Sequence, residues 1–506
     1  MNDELMKTMR FTAILKSLEI WALITLPCFP ITAQNNYRLT LDEVVALAQS
    51  NAPDALLAST RWERSHWTYQ TFIADFKPQM LLSGTLPLFN RSIDPITLPT
   101  GQLVYISRAF MHNSLDLSLQ QDFAPTGATI FVGSALSRID AFKTAGVPMS
   151  ISYRSAPVNV GFVQPLFQYN AMKWRKQIEP IIYKESQKQY SEQMEAVAYQ
   201  SASLFFNLLI SQLDAEAAER DKANADTLLI LSQGRFDVGK IAETDLLQIQ
   251  LNAMQAEARL AEAQLNMQTN SEELRDFLDL QGEIDFDLVP PYLLPGVIIN
   301  PEEALNYAME HRSDVVAYDR RLREAEREVD RARGETGVTA SLIGQFGLTQ
   351  TGSALAQVYT NLLDQEVVTM SLTVPIADWG KSKARRAVAL SSLELEQRQV
   401  GQERENFRRI VMLKAQQFDL VRRNAEIAGK SLDAARTRYD ITYQRYLIGK
   451  ISVTDLNLAL ADQESARRAY LQSIRDFWMA LFEIREMTLY DFVEDRSLML
   501  TTPTVD

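Results

Sequence analysis

The chain has 506 residues, 46% apolar and 23% charged, with 51 Lys+Arg against 64 Asp+Glu, three histidines and one cysteine. A net charge of -13 without a Lys/Arg-rich run argues against a nucleic-acid partner, and a mean hydropathy of -0.15 without an interior stretch of 18 apolar residues rules out a bundle of transmembrane helices. His66, His112 and His311 are scattered without ligand spacing, so no metal is expected, and one cysteine cannot make an intramolecular disulfide.

Length alone suggests about three domains, but the order of segments points elsewhere. Lys7, Arg10 and Lys16 precede an apolar run from Ile20 to Phe29, which a small residue, Ala33, closes. Basic, apolar, then small is the order of a signal peptide. Cleavage after Ala33 makes residues 1–33 the signal; lipidation at Cys28 is the rival, with Pro27 a poor match to it.

The remainder is written twice. Residues 235–247 (RFDVGKIAETDLL) and 445–457 (RYLIGKISVTDLN) share seven of thirteen positions at an offset of 210. The same offset pairs Pro165 with Pro375, Tyr169 with Trp379, and Lys173 and Arg175 with Lys383 and Arg385. Upstream, Leu41-Asp42-Glu43 resembles Pro301-Glu302-Glu303 at an offset of 260, so the first copy holds about fifty extra residues. Repeat 1 covers 34–280, a linker 281–300, repeat 2 301–492, and a tail 493–506.

Each repeat opens on a predicted helix, 37–77 and 301–335. Period-two segments follow. Val368, Met370, Leu372 and Val374 alternate with Thr369, Ser371 and Thr373, and Leu115, Leu117 and Leu119 behave likewise. These predict strands within 78–168 and at 337–350 and 366–376, each with one apolar and one polar face, as in a membrane barrel; a soluble sandwich is the competing reading. The extra fifty residues are read as two spanning strands with a long external elaboration.

Next come 68-residue stretches rich in strong helix formers, 171–238 and 381–448, each about 100 Å long as a helix. Val411, Phe418, Ala425, Leu432, Tyr439 and Tyr446 recur every seven residues, with Val400, Phe407 and Val421 on a companion seam, which implies left-handed coiled packing. Glycine at 239 and 449 suits a helix-stopping left-handed turn. Tip turns 239–243 and 449–453 lead to return helices 244–280 and 454–490, opened by Thr244-Asp245 and Thr454-Asp455.

A signal peptide with spanning strands points to an outer membrane. Four strands per chain cannot close a barrel, and open edges are not tolerated in lipid, so several chains must share one. Helices of about 100 Å must project into water. No glycine-rich phosphate loop, Gly-x-Ser-x-Gly elbow or paired catalytic carboxylates are present, so neither an enzyme nor a cofactor is expected. A secreted or surface coiled-coil structural protein or adhesin is the alternative, but it would need neither paired strand blocks nor tip hairpins.

The duplicated Gly-x-x-x-x-Thr-Asp-Leu tips, with Pro-Leu-Phe and Pro-Ile-Ala strand ends before long helices, resemble the TolC family of outer-membrane efflux channels over essentially the whole mature chain. The resemblance implies a mainly α fold with membrane β: a homotrimer whose twelve strands, four per chain, form one barrel continued by a helical coiled-coil tunnel across the periplasm. It also implies the passive exit duct of a tripartite efflux or type I secretion system, with a periplasmic adaptor (membrane fusion) protein and an inner-membrane pump of RND or ABC type. On it, Val238, Gly239, Lys240, Ile448, Gly449 and Lys450 match adaptor-contacting tips. Asp455 matches a carboxylate ring at the periplasmic entrance, its repeat counterpart Asp245 a gate-network position and Tyr446 a gate tyrosine. The sequence departs from the family at Leu458, where a second acidic ring would stand, and at Ile451, where a gate arginine would stand.

Overall fold

The computed structural model describes residues 35–97, 99–143, 148–282 and 284–500. The signal segment 1–33 and the end of the tail lie outside them.

Strand β1 (Asn35–Leu39) leads into helices α1 (Leu41–Asn51) and α2 (Pro53–Asp75). One helix over 37–77 is therefore corrected to a strand and two helices. Ala52, held at φ -57° and ψ 138° before Pro53, makes the break, because proline pushes its predecessor out of helical geometry. The second repeat breaks at the matching place, Arg312, so 301–335 becomes α5 (Pro301–His311) and α6 (Ser313–Thr336). The linker also holds structure: β6 (Ile284–Leu288) pairs parallel with β1.

The strand block is larger than expected. Four strands, β2 (Gln79–Thr97), β3 (Leu103–Phe123), β4 (Ala128–Ala141) and β5 (Ser150–Leu166), occupy the first repeat, where the sequence predicts two. With β7 (Thr339–Gly352) and β8 (Leu363–Thr373) they form one antiparallel sheet in the order β2–β3–β4–β5–β7–β8. Among the described residues, six strands in this sheet replace the expected four. Beyond Phe110, where β4 stops pairing with β3, the β2–β3 hairpin continues as a two-stranded ribbon.

Register separates the two faces. Met80, Leu119, Val132, Val160 and Phe346 lie level across five strands on one face. The other face carries Ser83, Ser118, Asn159, Gln345 and Thr369. Apolar outward, polar inward is the pattern of a membrane barrel wall. Among the described residues no helix is long and apolar enough to cross a membrane.

The long helices α3 (Ala171–Asp237) and α7 (Lys381–Leu447) have 67 residues each. They return through α4 (Glu243–Phe277) and α8 (Val453–Thr488). Helix α3 runs on through Pro180, which removes one ladder donor without ending it. Val411, Phe418, Ala425 and Tyr446 of the predicted heptad seam are buried. Packed neighbours order the four long helices α4–α3–α8–α7. Two cores brace them near mid-length: Phe205, Phe206 and Leu208 of α3 pack on α1, β1 and β6, whereas Phe418 of α7 and Phe477 and Leu481 of α8 pack on α5. A small hairpin, β9 (Tyr490–Asp491) and β10 (Arg496–Ser497), joins the end of the second repeat to the tail and folds against α5 through Tyr307 and Tyr490, whose rings stack at 3.8 Å.

Candidate functional site: the helical tips and the entrance

Both tips close by the same hydrogen bonds. At the end of α3, Gly239 N–H donates to the Phe236 carbonyl (2.8 Å) and Lys240 N–H to the Arg235 carbonyl (2.9 Å). At the end of α7, Gly449 donates to Tyr446 (2.9 Å) and Lys450 to Arg445 (3.0 Å). This 5→2 and 6→1 pair is the Schellman motif, and it needs the left-handed φ of +70° at Gly239 and +73° at Gly449. Val238 and Ile448 precede the glycines with their side chains in solvent, 68% and 66% exposed. Lys240 and Lys450 are exposed as well. Each tip thus presents an apolar residue, bare backbone and an ammonium group.

The return helices begin differently from each other. Ser452 caps α8: its hydroxyl accepts from Asp455 N–H (3.2 Å), while the Asp455 carboxylate accepts from the Ser452 hydroxyl (2.8 Å) and Ser452 N–H (3.3 Å). That is a reciprocal capping box with an aspartate in the third position. Helix α4 starts after Ala242, with no side-chain cap. The hydroxyl predicted to cap each helix therefore belongs to neither threonine; Ser452 supplies one and the other is missing. Asp455 and Asp245 are both exposed, and Leu458 next to the Asp455 turn is 55% exposed.

Tyr446 is not at the surface. It is 4% exposed, its hydroxyl 3.5 Å from that of Ser232, and the Arg235 guanidinium lies over its ring at 5.5 Å. Arg235 also donates to the Leu447 carbonyl (2.9 Å), tying the end of α3 to the end of α7. Arg235 is not among the residues expected at the site, although it is one of the seven shared by the tip repeats. Its counterpart Arg445 is exposed. One sequence position thus plays two roles, because α3 lies inside the helix order and α7 at its end.

Above the tips, α3, α4, α7 and α8 enclose a cavity of about 230 Å³ lined by Asp221, Asn252, Tyr439, Tyr446, Asn457 and Glu464. Asn252 donates to Asn457 across the repeats (3.1 Å). Burial pushes Tyr439 up to about 12. Burial, then the neighbouring Asp221 carboxylate, raises Glu464, with Arg259 opposing.

The lateral ends of the chain are unfinished. Strands β2 and β8 are the sheet's two edges. Helix α7 exposes Leu413, Leu420 and Ile427 at seven-residue spacing and Ile441 two heptads further on, and α4 exposes Leu247, Leu251, Met254 and Leu265. Exposed heptad seams on both outermost helices fit a further helix on each side.

A family model described as "Outer membrane efflux protein" matches residues 138–278 and 308–486. Among solved structures, the chain is similar to the CmeC outer membrane channel of Campylobacter jejuni (17% identity, 88% of this chain and 85% of that one, TM-score 0.62). It is similar to CusC (14%, 90% and 91%, 0.60) and to the open state of the MtrE outer membrane channel of Neisseria gonorrhoeae (14%, 90% and 90%, 0.59). Compared with curated proteins, the chain finds no match.

Proposed function

The chain belongs to the outer membrane efflux protein family, and from that premise we propose that three copies close around one axis into a conduit docked to a periplasmic adaptor and an inner-membrane pump of RND or ABC type. The protein is an outer-membrane channel reaching into the periplasm, the exit duct of a tripartite efflux system. It conducts passively; the polar sheet face supplies a water-lined wall.

One observation carries the closed assembly: the unfinished edges match. On one side stand β8 and the apolar seam of α7, on the other β2 and the seam of α4. A head-to-tail contact would pair β8 with β2 and α7 with α4 together. Such a heterologous contact closes into a ring when the rotation permits. In the resulting ring, the tips with Val238, Gly239, Lys240, Ile448, Gly449 and Lys450 face the adaptor, and Asp455 of each copy lines the entrance, with Leu458 as an apolar layer beside it. Asp245 and Tyr446 belong to the contacts that hold the entrance shut.

Carboxylates converging on an axis attract multivalent cations. Asp455→Asn is expected to relieve block by a trivalent cation in single-channel recordings, and unchanged block removes the ring from the proposal. Charge reversal at Lys240 and Lys450 is expected to reduce adaptor cross-linking and substrate export together. If both persist unchanged, the tips do not carry the adaptor contact.

A further inference from the structure

The extra hairpin β2–β3 is not an appendage. The turn at 124–127, which joins β3 to β4, lies at the periplasmic edge of the sheet; two side chains hold that turn and a third ties the end of β3 to α2. Asn170, at the start of α3, donates to the Ala124 carbonyl (2.9 Å), Gln164 donates to the Thr126 carbonyl (3.0 Å), and Gln121 of β3 donates to the Phe76 carbonyl at the end of α2 (2.7 Å). From this turn β3 pairs continuously with β4, from Phe123↔Ala128 to Phe110↔Ala141. The hairpin also carries the same outward apolar face as the other four strands. Met80 and Leu82 on β2 are 71% and 70% exposed, as Val368 and Met370 on β8 are 65% and 63% exposed. Its opposite face is largely polar, through Ser83, Thr85, Ser114 and Asp116. A hairpin lying outside the membrane would have no reason to repeat that alternation at the same height.

We propose that all six strands of each copy enter the barrel wall, so that β8 of one copy pairs with β2 of the next and the exit is wider than a barrel with four strands per copy. This rests on the channel reading above. Three copies give eighteen strands in place of twelve. Barrel diameter grows roughly in proportion to strand number, so the bore is about one and a half times as wide, in the range where barrels hold an open aqueous channel. The narrowest passage then lies at the helical entrance, and the membrane exit passes cargo bulkier than a twelve-stranded wall admits.

The test is disulfide trapping in the intact protein in its membrane. Cys28 is the sequence's single cysteine, so pairs introduced into the sheet have no competitor there. Leu81 and Ser83 on β2, paired in turn with Thr369 and Ser371 on β8, are expected to yield covalent dimers and trimers. Thr129 and Ala135 on β4, paired with the same two β8 positions, are expected to yield none. Cross-linking of β4 to β8 places the hairpin outside the wall and overturns the proposal. Image reconstruction of the unmodified assembly in nanodiscs provides the second measurement: a section through the bilayer showing twelve strands also overturns it, and eighteen sustains it. Export by the uncross-linked variants separates the two ideas. Variants that export but cross-link β4 to β8 sink the wide barrel alone, whereas an unmodified chain that neither exports nor assembles sinks the channel reading beneath it.

Discussion

The Arg235 guanidinium lies over the Tyr446 ring at 5.5 Å while donating to the carbonyl of the next residue, Leu447. One side chain of the first repeat therefore holds the tip of the second by a cation–π contact and a charge-assisted hydrogen bond. Together these are worth about 2 to 3 kcal/mol in a half-buried setting. Arg235→Ala is expected to free the end of α7 and shift the entrance toward open forms. Planar-bilayer recordings should show a higher resting conductance and more frequent openings. Arg445→Ala removes the repeat counterpart, which is exposed, and is expected to leave conductance unchanged. Equal behaviour of the two variants would deny Arg235 any special hold on the tip.

That asymmetry also marks how far the sequence could be read. The duplication, the long helices and both glycine turns were legible because each rests on local chemistry: offset identity, heptad spacing, and a left-handed residue after a helix. The length difference between the repeats revealed an insertion but not its strand count. Between Pro87 and Asn113 the hairpin mixes Pro95, Arg91, His112 and Asn113 with its apolar residues, and a register shift between Thr85 and Leu88 breaks the alternation. The helix breaks at Ala52 and Arg312 were half legible: Pro53 signals the first, and nothing comparable signals the second. Arg235 was illegible as a latch, because its partner Tyr446 is set by which helix lies inside the bundle. Sequence identity between repeats carries no information about that.

Asn170 serves two structures at once. Its carbonyl oxygen accepts from Lys173 N–H (3.0 Å) and caps α3, while its amide group donates to Ala124 and anchors the β3–β4 turn. Asn170→Ser preserves a capping oxygen but is too short to reach the turn, and Asn170→Ala loses both. Loss of the cap costs about 1 kcal/mol and loss of the tether about 1 kcal/mol more. Thermal unfolding of the detergent-solubilised assembly should rank wild type above Ser and Ser above Ala. If Ser matches wild type, Gln164 holds the turn without the Asn170 tether.

Glu464 gives the stability of the four-helix bundle a pH dependence. Its side chain, 19% exposed, faces Asp221, Arg259 and Tyr439 in the four-helix cavity, with Arg468 at 4.0 Å. Burial is the larger cause of its raised pKa and Asp221 the second. A raised carboxyl binds its proton more tightly in the folded chain than in the unfolded one. Between the ordinary glutamate value and the raised value, the folded chain therefore keeps a proton that the unfolded chain has released, and stability falls as pH rises through that window. Glu464→Gln has no proton to lose. It is expected to match wild type below the window and to be the more stable above it, so its unfolding temperature should lose the downward step expected of wild type as pH rises above the ordinary glutamate range. Asp221→Asn removes only the second cause, so it should narrow the step without abolishing it. A wild-type profile flat across that range, or a Gln variant that keeps the step, would mean that another group carries the titration.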